Sequence, residues 1–94
     1  MSTQTIERAT PGGGAGFGSP WKVIVLNDNH NTFEGVAAAL SRVLPGVSHD
    51  QGLRLADRIH STGRAIVWSG HREPGELYWT ALRDSGLTMA PLEQ

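Results

Sequence analysis

Asn27, Asp28 and Asn29 follow directly on an apolar run, Val23-Ile24-Val25-Leu26. Two amides and a carboxylate at the end of a buried strand make a cluster rich in hydrogen-bond acceptors. Such a cluster suits a small cation or an amine. A free α-amino group, whose ordinary pKa is about 7.7–8.0, is mostly an ammonium near neutrality and needs acceptors around it. Asp28 would supply charge, Asn27 and Asn29 carbonyl oxygens, and His60 one ring nitrogen. Each charge-assisted hydrogen bond contributes about 1.5–3 kcal/mol. Phe33, Val36, Ala56 and Ile59 are placed to line an apolar cavity beside the cluster, where burying one Leu or Phe side chain contributes about 1.5–3 kcal/mol. Two or three such bonds and one buried side chain support roughly micromolar affinity. The same residue types also serve in ordinary turns, and a histidine at a helix end also suits the helix dipole. Spacing by itself therefore leaves an amine site and a plain turn both open.

Other chemistries find less support. His30, His49, His60 and His71 fall in no H-E-x-x-H or similar spacing, so no metal site is expected, and no cofactor. The chain has no cysteine, which removes thiolate chemistry, zinc-thiolate sites and disulfides. Ser61, Ser69 and Ser85 sit in no G-x-S-x-G context, and Ser48 reads as a helix cap. A hydrolase built on Asp28 and His60 stands as the enzyme alternative. The Gly-rich stretch at residues 12–18 lacks the lysine and the preceding strand of a phosphate loop. A net charge of −1 offers no basic field for nucleic acid or an anionic membrane. No apolar run approaches the ~18 residues of a membrane span. The start of the chain holds no apolar core of the signal-peptide kind. The expectation is a soluble, cytoplasmic, monomeric protein.

These groups need elements to hold them. Ninety-four residues suffice for one domain. Residues 1–20, with Gly12-Gly13-Gly14-Ala15-Gly16, Pro11 and Pro20, read as a flexible tail, and residues 21–94 as the folded domain. Residues 21–26 read as a strand covered on both faces. Asn31 with Glu34 three residues on reads as the cap of a first helix carrying Phe33, Val36, Leu40, Val43 and Leu44, ended by Pro45-Gly46. Ser48-His49-Asp50-Gln51 caps a second helix, with Leu53, Ala56 and His60 on one stripe and Gly63 as its stop. Residues 65–68 read as a second strand, and Ser69-Gly70-His71 as a turn. Pro74 fits the first turn of a third helix with Leu77, Tyr78, Ala81 and Leu82 inward, ended by Gly86. Residues 87–90 read as a last short strand before Pro91. The order β-α-α-β-α-β predicts an α+β sandwich: a three-stranded antiparallel sheet with three helices.

Val23 to Asp28, then Asn31 to Val36, then Ile59-His60-x-x-Gly63-Arg64-Ala65-Ile66-Val67, in that order, resemble the ClpS family, adaptors of the Clp protease. The resemblance runs from about Trp21 to Glu93, and the segments around Trp68 and from Gly86 to Glu93 look like the divergent cyanobacterial branch. It implies a protein that is not an enzyme. Such adaptors bind proteins with a bulky hydrophobic first residue (an N-degron) and deliver them to a Clp AAA+ unfoldase of the ClpA or ClpC type. By position, Asn27 and His60 would bond the substrate's α-amine, with Asp28 and Asn29 shaping the same mouth. Asn31, Phe33, Val36, Ala56, Ile59 and Thr88 would line the side-chain pocket. Glu73 and Tyr78 would dock on the unfoldase N-domain, and the tail would engage the unfoldase during delivery. Asn29 stands where many members carry a second Asp, Ala56 where Met is usual, Tyr78 where Lys is usual and Thr88 where an aliphatic residue is usual. The smaller Ala56 is expected to loosen the pocket, and Phe33, in place of another Met, to take some space back. The rival within the same fold is a docking module that regulates the Clp ATPase with a weak pocket.

Overall fold

A computed structural model describes residues 19–94. The tail predicted over residues 1–20 therefore lies almost wholly outside the described residues. The elements are β1 (Trp21–Leu26), α1 (Phe33–Val43), α2 (His49–Thr62), β2 (Arg64–Gly70) and α3 (Arg72–Asp84). The strands β1 and β2 pair antiparallel, from Trp21 opposite Gly70 to Leu26 opposite Arg64, with an irregularity between Val23 and Ile24. The helices pack on one side over a core that includes Val23, Val25, Leu40, Leu44, Ile59, Val67 and Leu82.

The predicted third strand is corrected. The sheet has two strands, and residues 87–93 reach β1 only through isolated bridges, Met89 to Val25 and Glu93 to Lys22. Between those bridges the C-terminal segment advances four residues against three on β1, so the register slips by one. Pro91, which has no N–H to give a ladder, lies inside the slip. The segment is nevertheless fastened. Leu26 N–H donates to Thr88 O at 2.8 Å and Ala90 N–H to Ile24 O at 3.1 Å. The indole of Trp79 on α3 donates to Ala90 O at 2.7 Å.

Three local expectations shift as well. Thr32, not Asn31, caps α1, its side chain accepting from Gly35 N–H at 2.9 Å. Ser69 and Gly70 belong to β2 and are not a turn. A Cβ on Gly70 would lie 2.7 Å from the Trp68 ring, so that ring folds over the bare strand end. The same ring covers Gly75, where a Cβ would come within 3.1 Å, and meets Tyr78 edge-on at 5.1 Å. This seats α3 on Gly75, Tyr78, Trp79 and Leu82, spaced i, i+3, i+4 and i+7. Leu77 consequently faces outward and is 67 % exposed.

The second helix keeps its predicted ends. Ser48 and Gln51 form a reciprocal capping box, and Gly63 closes the helix at φ 93°. What the periodicity does not reveal is the contact that seats α2 on α1. A Cβ at Gly52 would lie 2.8 Å from the carbonyl oxygen of Ala37 and 3.0 Å from its Cα. The two helices touch backbone to backbone there. Gly52→Ala gains up to about 1 kcal/mol of helix propensity, but must push two packed helices apart at a cost of about 1–3 kcal/mol. A net loss of stability in urea unfolding is expected, with a larger loss for Gly52→Val.

Candidate functional site

Where β1 ends, Asn27 turns the chain, its N–H donating to Gly63 O at 2.9 Å. That bond ties the strand end to the end of α2 and so brings Asn27 towards His60, in the last turn of that helix. Between them opens a narrow recess of about 40 Å³. Its walls come from four segments. Val25, Leu26, Asn27 and Asp28 come from β1 and the turn after it. Asn31, Thr32, Phe33 and Val36 come from the start of α1, and Ala56, Ile59 and His60 from α2. Leu87 and Thr88 close it from the C-terminal segment. Val36, Ala56, Ile59 and Leu87 are buried, so one wall is apolar.

The centre of the polar wall is the Asp28 carboxylate, whose side chain is only 12 % exposed. Oδ1 accepts the N–H groups of His30 at 3.0 Å and Asn31 at 2.8 Å. Oδ2 accepts the Asn31 side-chain amide at 2.8 Å and the Thr88 hydroxyl at 2.7 Å. The Asn31 amide also donates to Gly86 O at 2.9 Å. Burial of the carboxylate works to raise its pKa. The hydrogen bonds from Asn31 N–H, the Asn31 amide, the Thr88 hydroxyl and His30 N–H outweigh it and hold the group well below its ordinary 3.8. The His30 imidazole, 3.8 Å away and 70 % exposed, adds little in water. A carboxylate offers about four lone-pair sites, and here four donors engage them.

The rim is different in kind. Asn27 and His60 are exposed, and among the described residues their side chains make no hydrogen bond. The His60 ring meets Phe33 edge-on, with centroids 5.3 Å apart. Phe33 itself is 42 % exposed and overhangs the mouth. The residues predicted for an amine mouth and a side-chain pocket thus converge on one recess, with one exception. Asn29 is exposed and is not part of the lining. Glu73, in the first turn of α3, is exposed. Tyr78 is half-buried against Trp68 and borders a wider, open trough of about 620 Å³ beside the α1–α2 turn. Sequence reasoning missed Val25, Leu26, Thr32 and Leu87 as lining. For Val25 the two-residue period of a strand, which puts it on the same face as Asn27, was an available signal; for Leu87 only the folding-back of the C-terminal segment reveals it. Among the described residues no three His, Asp or Glu side chains converge as a metal site, and no helix is long and apolar enough to cross a membrane.

A small α+β domain whose strand end and helices enclose a recess, apolar on one side and lined with acceptors on the other, defines a binding module. A family profile for the ATP-dependent Clp protease adaptor protein ClpS matches residues 18–93. The chain is 47 % identical over 92 residues to the ATP-dependent Clp protease adapter protein ClpS of Nostoc sp., covering 98 % of this chain and 87 % of that one. It is 51 % identical over 73 residues to the ClpS of Thermosynechococcus vestitus, covering 78 % of each. Among solved structures it is similar to Agrobacterium tumefaciens ClpS2 bound to L-phenylalaninamide. That likeness has TM-score 0.71 and 28 % identity, with 77 % of this chain and 93 % of that chain covered. The chain belongs to the ClpS family of ATP-dependent Clp protease adaptors.

Because Asp28 is ionised more readily folded than unfolded, the unfolded chain binds the extra proton below about pH 4. The stability Asp28 contributes is therefore complete above its ordinary value and is lost as pH falls from about 4 towards its depressed folded value. Asp28→Asn turns an amide N–H₂ towards groups that already donate and is expected to lose about 1–3 kcal/mol at pH 7. The gap in urea midpoint between wild type and variant should be smaller at about pH 3 than at pH 7, without closing, because the folded carboxylate is still ionised there.

Proposed function

We propose that this chain is an N-degron adaptor: the recess grips the free α-amine of a protein, accepts its bulky hydrophobic first side chain, and hands that protein to a Clp AAA+ unfoldase. The observation that carries the reading is the pairing, in one recess, of an apolar wall with two exposed polar side chains at its rim that make no hydrogen bond among the described residues. Asn27 offers a carbonyl oxygen and His60 a ring nitrogen to the ammonium. Asp28, with four donors on it, acts as a brace: it fixes Asn31 and Thr88 and lends its negative charge from behind the wall. Asn29, away from the lining, acts on the amine only at a distance. Val36, Ala56 and Ile59 receive the first side chain, with Phe33 as an overhang. That a solved relative binds L-phenylalaninamide, an amine beside an aromatic side chain, supports the same division of labour.

Glu73, exposed at the start of α3, and the exposed edge of Tyr78, on a different face of that helix, are the positions that would dock on the N-domain of a ClpA- or ClpC-type unfoldase, with the adaptor acting as a cytoplasmic monomer. A recess with exposed polar rim groups beside an apolar wall favours delivery over a purely regulatory docking role. The hydrolase alternative is disfavoured, because the Asp28 oxygens are engaged by four donors, none of them the His60 ring, so the two side chains do not form an Asp–His pair.

Fluorescence titration with short peptides that differ in their first residue tests this reading. Peptides led by Leu, Phe or Trp should bind at roughly micromolar Kd, an Ala-led peptide more weakly, and acetylation of the amine should abolish binding. Equal binding of free and acetylated peptides overturns the reading. His60→Ala removes one charge-assisted bond and should raise Kd by about 10-fold or more. Capture of the unfoldase should stay intact in that variant; loss of both points to misfolding.

A further inference from the structure

The half-buried polar side chains of the recess are Asp28, Asn31 and Thr88, whereas Asn27, Thr32 and His60 lie exposed at its rim. An ionised carboxylate accepts only, so the Thr88 hydroxyl, 2.7 Å from Oδ2, must give its hydrogen to Asp28. What Thr88 has left is lone pairs. The orientation of the Asn31 amide is settled in the same way. Its nitrogen faces two groups that only accept, Asp28 Oδ2 at 2.8 Å and Gly86 O at 2.9 Å, and both amide hydrogens are engaged. Its oxygen has no donor among the described residues. Each side-chain donor hydrogen of Asn31 and Thr88 is therefore engaged by a protein acceptor, and what these side chains keep for a ligand is acceptor oxygen beside a negative charge.

We propose that Thr88 and Asn31 are specificity-determining residues: held by Asp28 as pure acceptors, they make the recess favour a bulky first side chain that carries an O–H or N–H donor, Tyr or Trp, over one of like size without a donor. The inference rests on the adaptor reading and deepens it. A side chain without a donor leaves these oxygens desolvated and unpaired, which a site built to accept a hydrogen bond penalises. One neutral hydrogen bond corresponds to a preference of about 2–10-fold in Kd.

Titration with peptides led by Phe, Tyr and O-methyltyrosine, otherwise identical and labelled at the far end, tests the proposal on three proteins: wild type, Thr88→Val and Thr88→Ser. The wild type should bind the Tyr peptide about 2–10-fold more tightly than the Phe peptide, and O-methylation should remove the advantage. Thr88→Val keeps the shape of the side chain without its oxygen and should bring Tyr and Phe level; Thr88→Ser should restore the preference. Equal Tyr and Phe affinity in the wild type overturns the proposal while leaving the adaptor reading in place. So does a Tyr preference that survives in Thr88→Val. If Thr88→Val fails to fold, O-methyltyrosine on the wild type decides alone: an advantage that survives methylation overturns the proposal. If neither the Phe nor the Tyr peptide binds, the adaptor reading itself falls, and this proposal with it.

Discussion

One carboxylate holds the site together. Asp28 gathers two backbone N–H groups, an amide and a hydroxyl, and through Thr88 it joins positions 60 residues apart in the chain. Its partner Asn31 reaches Gly86, where α3 ends. The turn after β1, the start of α1 and the C-terminal segment therefore meet at a single charged group. Desolvating a carboxylate is costly, and only a full set of donors makes it tolerable. Here that requirement works as a positional constraint: the donors arrive together only if the C-terminal segment lies against β1 and closes the recess.

The apolar side of the recess depends on a different constraint, the backbone contact of α1 and α2 at Ala37 and Gly52. A side chain at Gly52 would separate the helices that carry Val36 and Phe33 on one side and Ala56, Ile59 and His60 on the other. Close approach keeps the recess narrow even though Ala56 is small. Ala56 is buried in that wall, and the exposed Phe33 stands edge-on to His60 at the mouth. Volume removed from one side chain does not translate directly into pocket volume, because packed helices settle towards the gap.

Where sequence reading and structure part, competition between partners explains it. Asn31 looked like a cap because Asn is a good one. It is diverted because Asp28 and Gly86 offer its amide two acceptors, and Thr32 takes over the cap. Residues 87–90 looked like a strand from their apolar run; with a register slip at Pro91, the segment as far as Glu93 meets β1 only at two isolated bridges. Leu77 looked buried because it is apolar; the Trp68 ring over Gly75 turns that face of α3 outward. Asn29 belonged with its neighbours by adjacency and by the family resemblance, and the turn leaves it exposed and outside the lining.

Local chemistry was enough to establish the strand at residues 21–26, both ends of α2 and the order β-α-α-β-α of the first five elements, and it offered the residue types of a mouth and a pocket. These follow from periodicity, capping geometry and the chemistry of each side chain, all properties of short stretches. Which of those side chains keeps a free lone pair was decided only by tertiary contact. Asp28, Asn31 and Thr88 look alike as polar candidates in the sequence. Their roles as acceptor, double donor and relay follow from which hydrogens are already engaged, and that is fixed by partners far along the chain.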